Sequence, residues 1–184
     1  MASDSGDLRE ALKAQTRAAF EDTPAPSPSQ LRGSQEGDEP YLLEKEFLGK
    51  DDWTTLDVEF IDQAPAGFGT ALSFFSRDAF RFYLPAYLLA DLDDALEQAE
   101  PSFHLWHGLN DEKRDQPVNP RCYGPLTWFD VTAERCALFN RLEVAAIVEY
   151  LRYKATVDDF SRPQVEQALA NFWVPRLRRL PRED

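Results

Sequence analysis

Cysteine is almost missing from this chain. Cys122 and Cys136 are the two in 184 residues, too few for a disulfide framework at this size. Long apolar runs are missing as well. The longest strongly apolar stretch without charge, Phe82 to Ala90, covers nine residues and contains Pro85, whereas a helix needs roughly 20 to span a bilayer. The uncharged stretch from Gln63 to Ser76 is broken by Pro65, Gly67 and Gly69. No membrane span is expected. Basic residues are scarce, 20 against 33 acids, for a net charge of −13 and a pI near 4.6. Such a surface repels phosphate backbones and excludes nucleic-acid binding through a basic face. Residues Met1 to Asp7 carry neither a basic start nor an apolar segment, so no secretory signal is expected. A cytoplasmic protein with reduced thiols is the simplest reading.

What is abundant is aromatic. Thirteen Phe, six Tyr and four Trp, within 43% hydrophobic residues, exclude global disorder and suffice for one compact domain with its own core. Residues 4–21 read as a helix with Leu8, Ala11, Leu12, Ala19 and Phe20 on one side, interrupted by Gln15 and Thr16. Pro24, Pro26 and Pro28 end it, and 23–40 reads as a Pro/Ser/Gly-rich linker or wrapped loop. Tyr41 to Leu48 reads as one or two helical turns closed by Gly49. Asp51 or Asp52 caps an expected helix from Trp53 to Asp62. Thr70 to Phe75 is either a short strand or a buried turn.

Ser76 then opens the most informative helix, apolar nearly all round after Phe82, which marks it as central and buried. Pro85 removes a backbone donor and predicts a kink, or two helices meeting there. The inward stripe is expected to continue through Leu88, Leu92, Ala95 and Ala99 until Pro101 stops it, with Asp91, Asp93, Asp94, Glu97 and Glu100 crowding the outer face. Residues 103–109 form a short apolar segment, and 110–125 a polar loop. Capping boxes at Asn140–Glu143 and Ser161–Gln164 open two further helices, the second with Val165, Leu169, Phe172 and Trp173 inward and Pro175 beyond its end. The expectation is a mainly α chain: a single compact helical domain around a Pro-kinked central helix, with at most a short strand or hairpin. Its parts are an N-terminal helix over 1–22, the linker loop over 23–40, a helical core over 41–175 and a basic tail over 176–184.

Three segments carry a family resemblance. They are Ala19-Phe20-x-x-Thr23-Pro24-x-Pro26, Trp53-x-x-Leu56, and the run from Ala71 to Leu89 with its aromatic-Leu-Pro-Ala centre. Together they resemble a family of small bacterial proteins known as domain of unknown function 6714, over about Leu8 to Trp173. The resemblance implies a bacterial origin and a stand-alone soluble domain, and no reaction.

The residues that could carry chemistry have ordinary structural readings. Glu100, His104, His107 and Asp111 would share one side of a helix at metal-binding spacing, but Pro101 and Gly108 argue against a continuous helix. The set His104, His107, Cys122 and Cys136 matches no compact zinc knuckle. Both imidazoles then read as hydrogen-bonding groups flanking a packed Trp106, and neither a metal nor a cofactor is expected. No nucleophile elbow or phosphate loop occurs: Ser76 is explained as a cap, and Gly67-Phe68-Gly69 lacks the third Gly and the Lys. Arg81, within an apolar helix, is expected to pair with a carboxylate or with backbone carbonyls.

Charge distribution says more. Residues 1–62 hold 15 acids and 6 bases, and residues 87–112 hold seven acids and no base. Arg176, Arg178, Arg179 and Arg182 make the tail locally positive. An acidic face of this density steers basic partners. The leading expectation is a non-enzymatic interaction protein that binds a basic protein partner, such as an immunity-type inhibitor of a toxin, through Asp91, Asp93, Asp94, Glu97 and Glu100. The alternative is a small-molecule-binding domain or enzyme with a pocket near Pro85 involving Arg81, Tyr83, His104 and His107.

Overall fold

In the computed structural model, residues 2–181 are described, with side chains for 6–121 and 123–181; Arg182 of the tail and the Cys122 side chain lie outside these. Regular structure among the described residues is helical, apart from isolated antiparallel bridges between Arg32 and Phe75 and between Pro117 and Thr127. The chain divides into two compact units, Met1–Pro101 and Ser102–Asp184, taken in turn.

The first unit is built on helix α5, Arg77–Leu92. Ser76 caps it by accepting the Ala79 N–H at 3.1 Å, and Phe80, Tyr83, Leu84, Tyr87 and Leu88 are all at most 1% exposed. Burial on every side from Phe82 to Ala90 fits the run of apolar residues that the sequence supplies. Pro85 sits inside this one helix, so two helices do not meet there.

Helix α1, Ala2–Phe20, lies along α5. Its inward row is Leu12, Thr16 and Phe20, spaced by four, whereas Leu8 is half exposed. The polar Thr16 expected to interrupt the stripe is thus part of it, and Leu8 is displaced outward. The segment after α1 is no free linker. Thr23 and Leu31 are buried, Gly33 N–H donates to Phe74 O at 2.7 Å, and Ser76 N–H donates to Leu31 O at 3.0 Å.

Helix α2 spans Glu39–Phe47. The helix expected from Trp53 to Asp62 is two elements: a 3-10 turn, Trp53–Thr55, and α3, Val58–Gln63. Two caps divide them. Asp52 accepts the Thr54 N–H at 2.9 Å, and Asp57 accepts from Glu59 N–H at 2.9 Å. Each Asx interaction offers the backbone an alternative to continuing the helix. Thr70 to Phe75 resolves into a single helical turn, α4, Ala71–Phe74.

Phe47 centres the aromatic core, with ring centroids 4.9 Å from Phe60 and 4.8 Å from both Phe75 and Tyr83.

The α5 helix ends earlier than its apolar pattern suggests. Asp93 caps it, Asp94 takes a left-handed φ of 54°, and Ala95 N–H reaches back to Ala90 O at 3.0 Å. This is a Schellman ending with Asp where Gly is usual. Ala95 is therefore exposed, Ala99 stays buried, and Glu97 and Glu100 lie on a loop rather than on a helix face.

That loop is fixed by Asp62, a buried carboxylate whose Oδ1 accepts the N–H groups of Glu97, Gln98 and Ala99 at 3.0, 2.9 and 2.9 Å. Gly69, at φ 64°, makes the close approach possible: a Cβ there would sit 2.6 Å from Asp62 O and 2.7 Å from Gln98 Cβ.

The second unit contains most of α6, Pro101–Trp106, followed by α7, Pro120–Tyr123, and α8, Trp128–Arg135. Then come α9, Arg141–Val157, and α10, Arg162–Ala168. A π-helical turn, Leu169–Trp173, leads directly into α11, Val174–Arg179. The Asn140–Glu143 box forms as expected, with both reciprocal bonds present. The Ser161–Gln164 box does not. Ser161 already has helical φ and ψ, and its hydroxyl donates to Asp158. An unanticipated box, Thr127–Asp130, opens α8.

Pro175 does not end the last helix. Proline lacks the N–H that a regular helix would use, and just before it Val174 N–H reaches Leu169 O, five residues back. The chain then continues helically, and Arg176 spans to the carbonyls of Ala137 and Phe139 at 2.8 and 3.0 Å. Residues 176–179 of the basic tail are thus the last helical turn.

The core of this unit includes Phe139, Val144, Ile147, Tyr150, Leu151 and Trp173. Trp173 Nε1–H donates to Leu105 O at 2.7 Å.

Candidate functional site

The five acids singled out in the sequence lie at the end of α5 and on the loop that follows. Asp93 pairs with Lys13 at 2.7 Å, and Asp94 with Arg9 at 2.9 Å. Both bases come from α1, so these aspartates also fasten α1 to α5. Asp94 nevertheless keeps 79% of its side chain in solvent. Glu97 and Glu100 are exposed and Asp91 is half-buried; Asp91 and Glu100 each make an interaction within the fold.

Asp91, Asp93 and Asp94 all lie at the C-terminal end of α5, whose last turn has no basic residue. That is the negative pole of the helix, where each added carboxylate costs stability, typically about 0.3–1 kcal/mol at an exposed site.

Clefts in the first unit gather around the segment after α2. A cleft of about 630 Å³ lies between α1, the Trp53 turn and Phe82, rimmed by Arg17, Glu21, Asp51 and Asp52. A smaller one of about 160 Å³ shares Arg17, Trp53 and Thr54 with it and reaches Ala86 and Leu89 of α5, next to Pro85. A third, of about 520 Å³, shares Asp51 and Asp52 with the first, and its walls include Lys50 and Phe60.

The four residues expected around a pocket do not line these clefts. Arg81 is half-buried and engaged in an interaction of its own. Tyr83 is 1% exposed and donates its hydroxyl to Lys50 O at 2.9 Å. Burial, helped by the nearby Asp51 charge, pushes its phenol up to about 12. His104 and His107 belong to the second unit. Desolvation, with the positive charges of Arg135 and His107, pushes His104 down to about 3. Burial and Lys113 lower His107 against an opposing pull from Glu112. The His107 ring stacks on Phe103 at 4.6 Å and meets Trp128 edge-on at 4.8 Å. Trp106 is half-buried, with ring centroids 5.0 Å from Phe103 and 5.9 Å from His107, and its Nε1–H has no hydrogen-bond partner among the described residues.

Among the described residues no group of three or more His, Cys, Asp or Glu is placed to hold a metal ion, and Asp111 is engaged by Asn171 at 2.9 Å. Cys136 is fully buried, and desolvation pushes its thiol up to about 12 against the pull of Arg135 and Arg176. A thiol in that state is a poor nucleophile at neutral pH. No helix among the described residues is long and apolar enough to cross a membrane.

What sequence reasoning missed is the role of residues 46–57 as the walls of the clefts. Two aspartates, at 52 and 57, each followed within two residues by a helical turn, were the available signal.

Neither a curated protein nor a solved structure matches the chain. A family model does match, over residues 8–177, so the chain belongs to a family of unknown function, DUF6714.

Proposed function

We propose that this protein is a non-enzymatic interaction domain that binds a basic protein partner through the acids after α5. The observation that carries the reading is the position of Asp91, Asp93 and Asp94 at the negative pole of α5. Asp93 and Asp94 also pair with Lys13 and Arg9, but Asp94 keeps 79% of its side chain in solvent, where a carboxylate at this pole is open to a partner. Asp94, Glu97 and Glu100 present carboxylates to solvent beside a loop that Asp62 holds rigid, which limits the ordering cost of association. The net charge of −13 adds long-range steering of a cationic partner. A toxin inhibited by an immunity-type protein is the kind of basic partner that suits a small acidic domain. Burial keeps the Cys136 thiol protonated and desolvation leaves the His104 imidazole a weak base, which agrees with a role that needs no nucleophile or general base.

Pull-down of partners from lysate at low and high salt, with mass identification, tests this directly. Replacing Asp91, Asp93, Asp94, Glu97 and Glu100 by Ser should weaken capture and flatten its salt dependence. Capture that persists unchanged rejects this surface.

A second reading has one specific observation behind it. The cleft of about 630 Å³ beside Trp53 and Phe82 has the size of a small-molecule site. A thermal-shift screen of metabolites that moves the wild-type protein but not a Trp53→Ala variant would favour it.

A further inference from the structure

Two of the clefts meet at Arg17, Trp53 and Thr54. They make a site in two parts, an outer cleft of about 630 Å³ and an inner chamber of about 160 Å³. Aliphatic groups line the chamber: Leu56, Val58, Ile61, Ala86, Leu89 and Ala90. Ala86 and Ala90 stand one turn apart on α5, so two small side chains leave a trough open there. Trp53 and Phe82, 5% and 3% exposed, carry the apolar surface on into the outer cleft.

Polar groups at this site are left unmatched by the fold. No described residue accepts the indole N–H of the enclosed Trp53, an unmet donor that a bound molecule would satisfy. Arg17 and Glu21, four residues apart, line the outer cleft with Asp51, and none of the three forms an ion pair with a described residue. The other carboxylates are engaged: Asp52 accepts the Thr54 N–H at 2.9 Å, and Asp93 pairs with Lys13 at 2.7 Å. A plain anion would meet Glu21 and Asp51, and a plain cation would meet Arg17. A zwitterion matches both signs.

We infer that the two-part cleft binds a free amino acid with an apolar side chain. Its carboxylate goes to Arg17 and the Trp53 N–H, its ammonium to Glu21 and Asp51, and its side chain into the aliphatic chamber. A guanidinium next to a second donor suits the two oxygens of a carboxylate. The outer cleft is wide enough for water to complete the shells of both head groups. The inference rests on the small-molecule reading of this cleft and is independent of the basic partner.

The test is isothermal titration of the full-length protein with L-leucine, N-acetyl-L-leucine, L-leucinamide and glycine. Leucine should bind saturably and glycine should not. The acetyl and amide forms, each missing one charge, should bind more weakly by roughly tenfold, the scale of one charge-assisted hydrogen bond. Arg17→Gln should weaken leucine by a similar factor and leave leucinamide unchanged, because leucinamide has no carboxylate to lose. Asp51→Asn with Glu21→Gln should weaken leucine and leave N-acetyl-leucine unchanged. Arg17, Glu21 and Asp51 are exposed, so these variants keep the core. Ala86→Leu should fill the chamber and abolish binding; if it does not fold, the surface variants decide alone. Equal affinity for leucine and either blocked form, unchanged leucine binding in Arg17→Gln, or no saturable binding of leucine, isoleucine or phenylalanine overturns the inference. A metabolite of another class that shifts the wild type and not Trp53→Ala would overturn the amino acid while the cleft reading stands. If no metabolite does so, both fall.

Discussion

Asp62 Oδ1 accepts the Ala99 N–H at 2.9 Å across 37 residues of sequence, and through it the end of α3 holds the acidic loop in place. Burial works to raise the Asp62 pKa, and the N–H groups of Ala99, Gln98 and Glu97 outweigh it, leaving the carboxyl below its ordinary value. Because the native value is depressed, the stabilisation is complete above the ordinary carboxylate range and is lost as pH falls through the native pKa. Asp62→Ala would strand three donors at once and should cost about 2–3 kcal/mol in urea denaturation. Hydrogen exchange at Glu97–Ala99 should quicken more than exchange in α5.

Asp94 offers the opposite outcome. Its left-handed φ, its place at the negative end of α5 and its largely exposed pair with Arg9 all predict that Asp94→Gly stabilises the protein. The gain should be about 0.5–1 kcal/mol, since glycine relieves the backbone and the exposed ion pair contributes little. Capture of a basic partner should weaken in the same variant. A lower thermal midpoint would refute this account of the α5 ending.

Cys136 should be inert. In a Cys122→Ser background, a thiol reagent such as DTNB should label the native protein negligibly at pH 8 and react fully after denaturation, because burial holds the thiol protonated.

His104 makes the acid limb of stability measurable. In the unfolded chain its imidazole takes a proton near 6.5, whereas the native one takes it only at about 3. Between those values the unfolded state binds more protons, so stability falls as pH drops through the window and gains nothing further above it. His104→Gln should flatten the decline of the urea midpoint between pH 7 and pH 4. Part of the residue remains in solvent, which reduces the size of the effect.

The elements legible in the sequence were those whose signals are local and mutually consistent. The α9 helix was, because Asn140 and Glu143 form a reciprocal cap before a long apolar run. The central place of α5 was, because so few charges interrupt residues 79–92. The end of α5 was not: Ala95 and Ala99 keep a helical spacing that the Schellman turn at Asp94 cuts off. Likewise Pro175 reads as a stop, since nothing in a single strip of sequence announces a five-residue hydrogen bond. The acids of the candidate surface were readable as a run of like charge, but their pairing with Arg9 and Lys13 is a tertiary fact. The cleft walls at Asp52 and Asp57 were hidden because a residue that caps a helix and one that faces a groove look the same in sequence.

The widened turn at Leu169–Trp173 sets the phase of everything beyond it. An ordinary helix advances by about 100° per residue, so inserting one residue there, which the already widened turn has no room to absorb, would swing the Arg176 guanidinium about a quarter of the way round the axis, away from the oxygens of Ala137 and Phe139. Those oxygens would lose their covering charge, and the Leu177 and Leu180 carbonyls that Arg141 gathers from the other side would drift out of reach. A single added codon would therefore unlatch two arginine fastenings while leaving every apolar residue of Arg162–Ala168 where it was.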